Sequence, residues 1–92
     1  MQDEWEFDWD PNKSKVNAKK HGISFEDARK MWDDPYLKEV HLYSHPEERW
    51  AAIARLPRGF YTAIITYRGE YSIRIISVRK STKKEVEVYA KH

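Results

Sequence analysis

The sequence predicts a small α+β domain in which an antiparallel sheet packs against helices. Three observations support this class: four β-type segments follow one another between residues 36 and 78, helix-start signals precede and follow them, and the chain has 92 residues with 40% hydrophobic content. Strands that run consecutively, without intervening helices, favour antiparallel pairing. We therefore expect one domain, residues 1–92, with about four strands in a meander, two N-terminal helices and a short C-terminal helix.

The N-terminal residues predict a short strand followed by a helix. Phe7-Asp8-Trp9 alternates apolar and polar side chains, as a half-buried strand does. Asp10-Pro11 then supplies a good helix N-cap and a proline suited to the first helical position. We expect helix 1 to run from Pro11 to Lys20, with Gly22 as the left-handed residue that ends it. Few of its side chains are apolar, so this helix must depend on its neighbours for stability.

A second helix begins at a capping box. Ser24-Phe25-Glu26-Asp27 has the polar spacing of that motif, and Phe25, Ala28 and Trp32 follow at helical spacing. Asp34-Pro35 then breaks the pattern. We expect this helix to bury one face and to anchor the core.

The period of the sequence changes to two after residue 35, which indicates strands. The four expected strands lie around Val40 and Leu42, from Trp50 to Leu56, from Phe60 to Tyr67 and from Tyr71 to Val78. A short turn at Arg68-Gly69-Glu70 joins the last two into a hairpin. Thr82 and Glu85 form a second capping box, which predicts the C-terminal helix.

The net charge of +2 conceals an uneven distribution. Residues 1–50 carry eight lysines and arginines against twelve carboxylates, a net charge of −4, whereas residues 51–92 carry nine against three, a net charge of +6. The C-terminal half therefore attracts polyanions that the N-terminal half repels. This pattern fits either a nucleic-acid site with an acidic flank or a mixed surface.

Composition excludes several classes of chemistry. The chain has no cysteine, so it has no disulfide framework, no thiolate nucleophile and no cysteine-based zinc site. His41 and His45 are too far apart in extended structure to chelate a metal, and we expect no metal and no cofactor. The acidic start, Met1 to Trp5, and the lack of a long apolar run predict a cytoplasmic protein without a membrane segment.

The segment from Tyr71 to Glu85 concentrates positive charge at the end of a predicted strand. It carries Arg74, Arg79 and Lys80, whose donors suit a phosphate backbone. In an ideal strand, however, Arg74 and Arg79 point to opposite faces and lie about 17 Å apart. They can share a site only if a bulge intervenes or the strand ends before Arg79. The alternative for Arg74 is a structural arginine that pairs with a carboxylate.

Metal-independent RNA cleavage needs a base for the 2′-hydroxyl, an acid for the leaving oxygen and cations for the phosphorane. Acid and base candidates are Glu48, Glu47, His21, His45 and a tyrosine. Each has a plainer explanation, because the turn at residues 45–49 also reads as a solvated ion pair and Lys20 with His21 also suits the C-terminal dipole of helix 1. The four tryptophans either stack bases or, as small cores favour, pack inside.

Several motifs occur together and in a fixed order: Phe7-Asp8-Trp9-Asp10-Pro11, Lys13, Asn17, Lys20-His21-Gly22-Ile23-Ser24-Phe25, Ala28, Asp34-Pro35, Glu47-Glu48-Arg49, Ile53, Arg68-Gly69 and Ile73-Arg74-Ile75-Ile76-Ser77-Val78-Arg79-Lys80. Jointly, and over nearly the whole chain, they resemble the BrnT family of bacterial toxins.

The resemblance implies a RelE-like fold and a ribonuclease toxin of a type II toxin–antitoxin pair, which inhibits translation and is neutralised by a BrnA-like antitoxin. It also implies that operator DNA is contacted only through the antitoxin complex. On this basis we expect Arg74, Arg79, Glu48 and His21 to be catalytic. RNA-binding residues are expected to be Lys80, Arg68, Arg49 and Lys20. The alternative function is a non-catalytic module that binds nucleic acid or an acidic protein through the same basic strand and helix.

Overall fold

A computed structural model describes residues 5–91 and confirms the α+β class. Residues 1–4, with most of the acidic start, and residue 92 lie outside the described part. The elements are β1 (Glu6–Asp8), α1 (Pro11–His21), α2 (Phe25–Ala28), a 3₁₀ helix (Arg29–Asp33), β2 (Lys38–Tyr43), β3 (Arg49–Leu56), β4 (Gly59–Tyr67), β5 (Ser72–Lys80) and α3 (Lys83–Ala90). None of the helices between residues 5 and 91 is long and apolar enough to cross a membrane.

The sheet has five strands in the order β1-β5-β4-β3-β2. The predicted antiparallel meander is present as β2 to β5, including the β4–β5 hairpin. The expected number of four sheet strands was wrong by one, because β1 adds to the sheet in parallel with β5 through the register Phe7↔Ile73. That pairing joins segments more than 60 residues apart, so local sequence patterns do not reveal it.

The second helix is shorter and tighter than its sequence pattern predicts. Ser24 caps it as expected, since its Oγ accepts a 3.1 Å hydrogen bond from the Asp27 amide. After one α-helical turn the backbone continues as the 3₁₀ helix. Phe25, Met31 and Trp32 are nevertheless all buried, so this segment anchors the core as predicted.

One face of the sheet packs against α1, α2 and the 3₁₀ helix and forms the apolar core. The strands contribute Ala52, Ala54, Leu56, Tyr61, Ala63, Ile65, Ile73, Ile75 and Val78 to it. Trp32 is buried and meets the Phe7 ring edge-on at 5.2 Å, while Trp5, Trp9 and Trp50 pack partly buried against the same core. The tryptophans therefore belong to the packing of the domain.

Helix α1 docks through polar side chains, which explains how it manages with so few apolar ones. Val16 is 60% exposed, whereas Ser14 and Asn17 are buried. The Asn17 amide nitrogen donates to the carbonyls of Ile23 and Val78 at 2.8 and 2.9 Å, and its oxygen accepts from the Val78 amide at 3.1 Å. Ser14 Oγ accepts from the Phe25 amide at 2.9 Å. These hydrogen bonds fix α1 to α2 and to β5.

Candidate functional site

A β-bulge in β5 decides where its arginines point. Ile65 pairs with Ile75 and Ile64 pairs with Ser77, so Ile76 is an extra residue without a partner on β4. One inserted residue reverses the alternation of side chains beyond it. Ile73, Ile75 and Val78 therefore all face the core. Arg74 and Arg79, expected on opposite faces of a regular strand, share the other face.

The second sheet face, which we call the arginine face, carries Arg49 and Arg55 on β3 and Arg74 and Arg79 on β5. Arg74 is the register partner of Thr66 and Arg79 that of Thr62 on β4. Arg49 directly precedes Trp50, whose ring packs on the core side. The N-terminal end of α3 lies over this face at Arg79. Their register partners Thr66 and Thr62 are four residues apart on β4, so the Cα atoms of Arg74 and Arg79 lie roughly 14 Å apart instead of about 17 Å as in a regular strand.

Arg79 is held by a carboxylate of α3. Its Nη1 and Nη2 donate to Oε1 and Oε2 of Glu85 at 2.8 and 2.9 Å, and Nη1 also donates to the Lys80 carbonyl at 3.2 Å. The hydrogen bonds from Arg79 lower the pKa of Glu85 to about 2, and the same bonds raise the pKa of Arg79. Both groups are therefore charged at neutral pH.

Arg74 and Arg49 of this face, and Arg68 in the turn between β4 and β5, are also paired with carboxylates. Arg74 Nη1 donates to Asp8 of β1. Arg49 donates from Nε and Nη2 to one oxygen of Glu47 at 3.2 and 3.1 Å, and Arg68 lies 3.6 Å from the other oxygen. The face is thus a row of ion pairs at its outer surface, where single pairs contribute little to stability.

The predicted proton-transfer residues lie away from these arginines. Glu48 is exposed in the β2–β3 turn, and its carboxylate is 3.5 Å from Nε2 of His41. The His41 ring in turn packs edge-on against Trp50, at 4.8 Å, on the core side of the sheet. His21 is exposed at the end of α1. Within residues 5–91, neither Glu48 nor His21 contacts Arg74 or Arg79.

The two predicted RNA-binding lysines, Lys80 and Lys20, lie outside the arginine face. Lys80 is exposed, and its Nζ lies 6.0 Å from the centre of the Tyr61 ring, which belongs to the core face. Lys20 and His21 line a cleft of about 350 Å³ between α1 and β5, together with Ile76 and Ser77 of the bulge. The bulge therefore separates the arginine face from this cleft. Between residues 5 and 91 there is no cluster of three histidines or carboxylates suited to a metal.

Sequence reasoning did not identify the carboxylates that hold the arginines. The sequence pattern marks Glu85 only as a helix-capping residue and Asp8 only as part of a strand, whereas it marks Glu47 as an acid or base candidate or as part of an ion pair in the turn at residues 45–49. The available signal for Glu85 was its place six residues after Arg79, at the start of a helix that must fold back over the sheet. That signal becomes informative only once the bulge directs Arg79 to the same face.

Comparison with known proteins gives one family and one fold. Residues 9–85 match the family model described as ribonuclease toxin, BrnT, of type II toxin-antitoxin system. The crystal structure of the Brucella abortus ribonuclease toxin BrnT superposes with a TM-score of 0.68 at 22% identity and covers 86% of this chain and 99% of that one. No curated protein sequence matches the chain significantly.

Proposed function

Because the chain belongs to the BrnT family of ribonuclease toxins of type II toxin–antitoxin systems, with an antitoxin as its partner and RNA as its target, we propose that it cleaves RNA on its arginine face without a metal. In this proposal Arg74 and Arg79 stabilise the negative charge that develops at the phosphate. Lys80, Arg68, Arg49 and Lys20 bind the flanking backbone. The protein acts in the cytoplasm.

The observation that carries the proposal is the bulge at Ile76. It turns Arg74 and Arg79 to one face of a rigid strand, where their side chains remain 30% and 37% exposed. Preorganised donors that meet developing charge supply a large part of the rate enhancement in phosphoryl and acyl transfer. A rigid strand holds such donors more accurately than a loop does.

Proton transfer in this proposal is assigned to Glu48 or His21. Both of these side chains are exposed to solvent. His21 lies at the α1–β5 cleft beside Ser77, next to the strand that carries both arginines. Glu48 with His41 forms the only histidine–carboxylate contact among residues 5–91. Substitution of either candidate is expected to lower the cleavage rate and to change its pH dependence.

The test is cleavage of RNA by purified protein in EDTA. Wild type is expected to cleave, whereas Arg74→Ala and Arg79→Ala should each lower the rate by about a hundred- to a thousandfold. Arg29→Ala is the matched control, since Arg29 is exposed on the 3₁₀ helix and its removal costs the same charge. Equal cleavage by all four proteins would remove these arginines from the mechanism. Salt-sensitive RNA binding without cleavage would favour the alternative, a non-catalytic binding module.

We further propose that the neutralising partner is a BrnA-like antitoxin and that operator DNA is contacted only by the complex. Expression with and without the product of the neighbouring gene, scored for growth arrest and RNA integrity, tests the pairing. Growth that is unaffected by expression of this chain alone would contradict the proposed toxicity.

A further inference from the structure

The contact between Arg79 and Glu85 has a specific geometry that bears on catalysis. A guanidinium presents two forks of parallel donors, one from Nη1 with Nη2 and one from Nε with Nη2. Glu85 occupies the first fork with both of its oxygens, and the Lys80 carbonyl takes the second proton of Nη1. Within residues 5–91, no acceptor uses the Nε side of Arg79. The Arg79 side chain remains 37% exposed.

The Glu85 carboxylate is itself held in place by more than Arg79. Its Oε1 also accepts from Thr62 Oγ1 at 2.9 Å and from the Thr82 amide at 2.8 Å. Thr62 is fully buried, and because its hydroxyl proton goes to Glu85, the Ser81 hydroxyl must donate to Thr62. A phosphate that displaced Glu85 would leave these donors without an acceptor. Glu85 therefore stays in place when a ligand meets Arg79.

We propose that Glu85 is a positioning residue for RNA cleavage. It binds the Nη1 and Nη2 donors of Arg79 so that the other donor pair, Nε with Nη2, faces the phosphate. This inference rests on the proposed function. Arginine held by one fork loses little further side-chain entropy when the other fork binds. Glu85 does not exchange protons in the reaction, because a carboxylate whose pKa lies near 2 is a weak base at neutral pH.

The opposite role is also testable, because a carboxylate beside a phosphate-binding arginine repels the phosphate. If Glu85 acted as an internal competitor, its removal would raise RNA affinity and the cleavage rate. A positioning role predicts that removal lowers the rate and changes affinity little.

Glu85→Gln separates positioning from helix capping. Glutamine serves as well as glutamate at the third position of a capping box, so α3 keeps its start. Its amide has one oxygen and one NH2 group, so it cannot offer a separate acceptor oxygen and a negative charge to each of the two Nη donors of Arg79. Glu87→Gln is the matched control, because Glu87 is exposed two residues further along α3 and loses the same charge. Thr82→Ala removes the cap hydroxyl but leaves the Arg79–Glu85 contact, so it reports on stability alone.

The decisive measurements are the single-turnover cleavage rate with an RNA oligonucleotide that wild type cuts, and the affinity for its 2′-O-methyl analogue. We expect Glu85→Gln to lower the rate about 10- to 100-fold. Its affinity should stay within about threefold of wild type, and Glu87→Gln and Thr82→Ala should cleave like wild type. NMR should show slow rotation of the Arg79 Nη groups in wild type and fast rotation in Glu85→Gln.

Four outcomes overturn the inference. A Glu85→Gln rate equal to wild type removes Glu85 from the reaction, and a higher rate with tighter binding makes it a competitor. Failure of wild type to cleave RNA overturns the proposed function and this inference with it. Loss of activity in Arg79→Ala together with full activity in Glu85→Gln overturns the inference alone.

Discussion

The two faces of the sheet are built from the same strands but by different rules. On β5, Ile73, Ile75 and Val78 are buried against the helices, whereas Arg74 and Arg79 lie in ion pairs on the other face. The core face contributes stability through apolar burial. The arginine face holds its charged side chains in ion pairs, which add little to the free energy of unfolding. Side chains that stabilise the core and side chains proposed for the chemistry therefore alternate along β5. The bulge at Ile76 keeps each set on its own face over the whole strand.

The largest difference in stability between the two faces is expected when a core side chain is removed. Ile75→Ala removes a side chain that is 2% exposed, and we expect it to lower the free energy of unfolding by about 2–5 kcal/mol. Arg74→Ala, one residue away on the other face, should lower it by less than about 1 kcal/mol. Urea denaturation of both variants measures the difference. Equal losses would mean that the two faces are not separate.

A second prediction concerns the polar contact on the core face. Asn17→Ala leaves the Val78 amide, the Val78 carbonyl and the Ile23 carbonyl without their partner. Because buried groups without partners cost about 1–3 kcal/mol each, we expect a loss of roughly 2–4 kcal/mol and faster hydrogen exchange at the Val78 amide. Asn12→Ala, an exposed site on the same helix, is the control and should behave like wild type. Wild-type exchange at Val78 in Asn17→Ala would refute the contact.

The third prediction is that the ion pair of Arg79 with Glu85 makes the free energy of unfolding depend on pH. Folding lowers the pKa of Glu85 from 4.5 to about 2, mainly through its hydrogen bonds with Arg79. The stabilisation from this pair is therefore complete above pH 4.5 and is lost as the pH falls toward 2. The difference in unfolding free energy between wild type and Glu85→Gln should be constant near pH 7 and shrink across that window. A difference that stays constant down to pH 2.5 would contradict the assignment.

The smallest effect is expected from the outer arginines in RNA binding. Arg68 is half exposed and shares Glu47 with Arg49. Arg68→Ala should leave stability within about 0.5 kcal/mol of wild type. If Arg68 contacts one phosphate, the slope of log affinity for single-stranded RNA against log salt should fall by about 0.7. An unchanged slope would remove Arg68 from the RNA-binding surface.

The sequence predicts local features well and pairings between distant segments poorly. The N-cap at Ser24, the capping box at Thr82, the glycine that ends α1 at Gly22 and the β4–β5 hairpin are all present, because each depends on residues close together in the chain. The parallel pairing of β1 with β5 and the bulge at Ile76 depend on register across the sheet. No local pattern fixes that register.

The same limit applies to the candidate site. Arg74 and Arg79 were identified from their charge and strand position, and family membership supports the chemistry proposed for them. The carboxylates that orient them come from β1, the β2–β3 turn and α3, which only the folded chain brings together. Glu48 illustrates the converse, because a residue at a matching motif position contacts His41 instead.

The hydrogen bonds of Asn17 have a further consequence for the outline of the sheet. The amide and carbonyl of one strand residue point to the same side, and those of Val78 point away from β4 toward α1. Beyond the short β1, the Asn17 side chain thus takes the place of a neighbouring strand. Strand addition by another chain is blocked there. The sheet ends at β2 on its other side, and β2 is the longer of its two edge strands, so the longer open edge for a partner strand is that of β2.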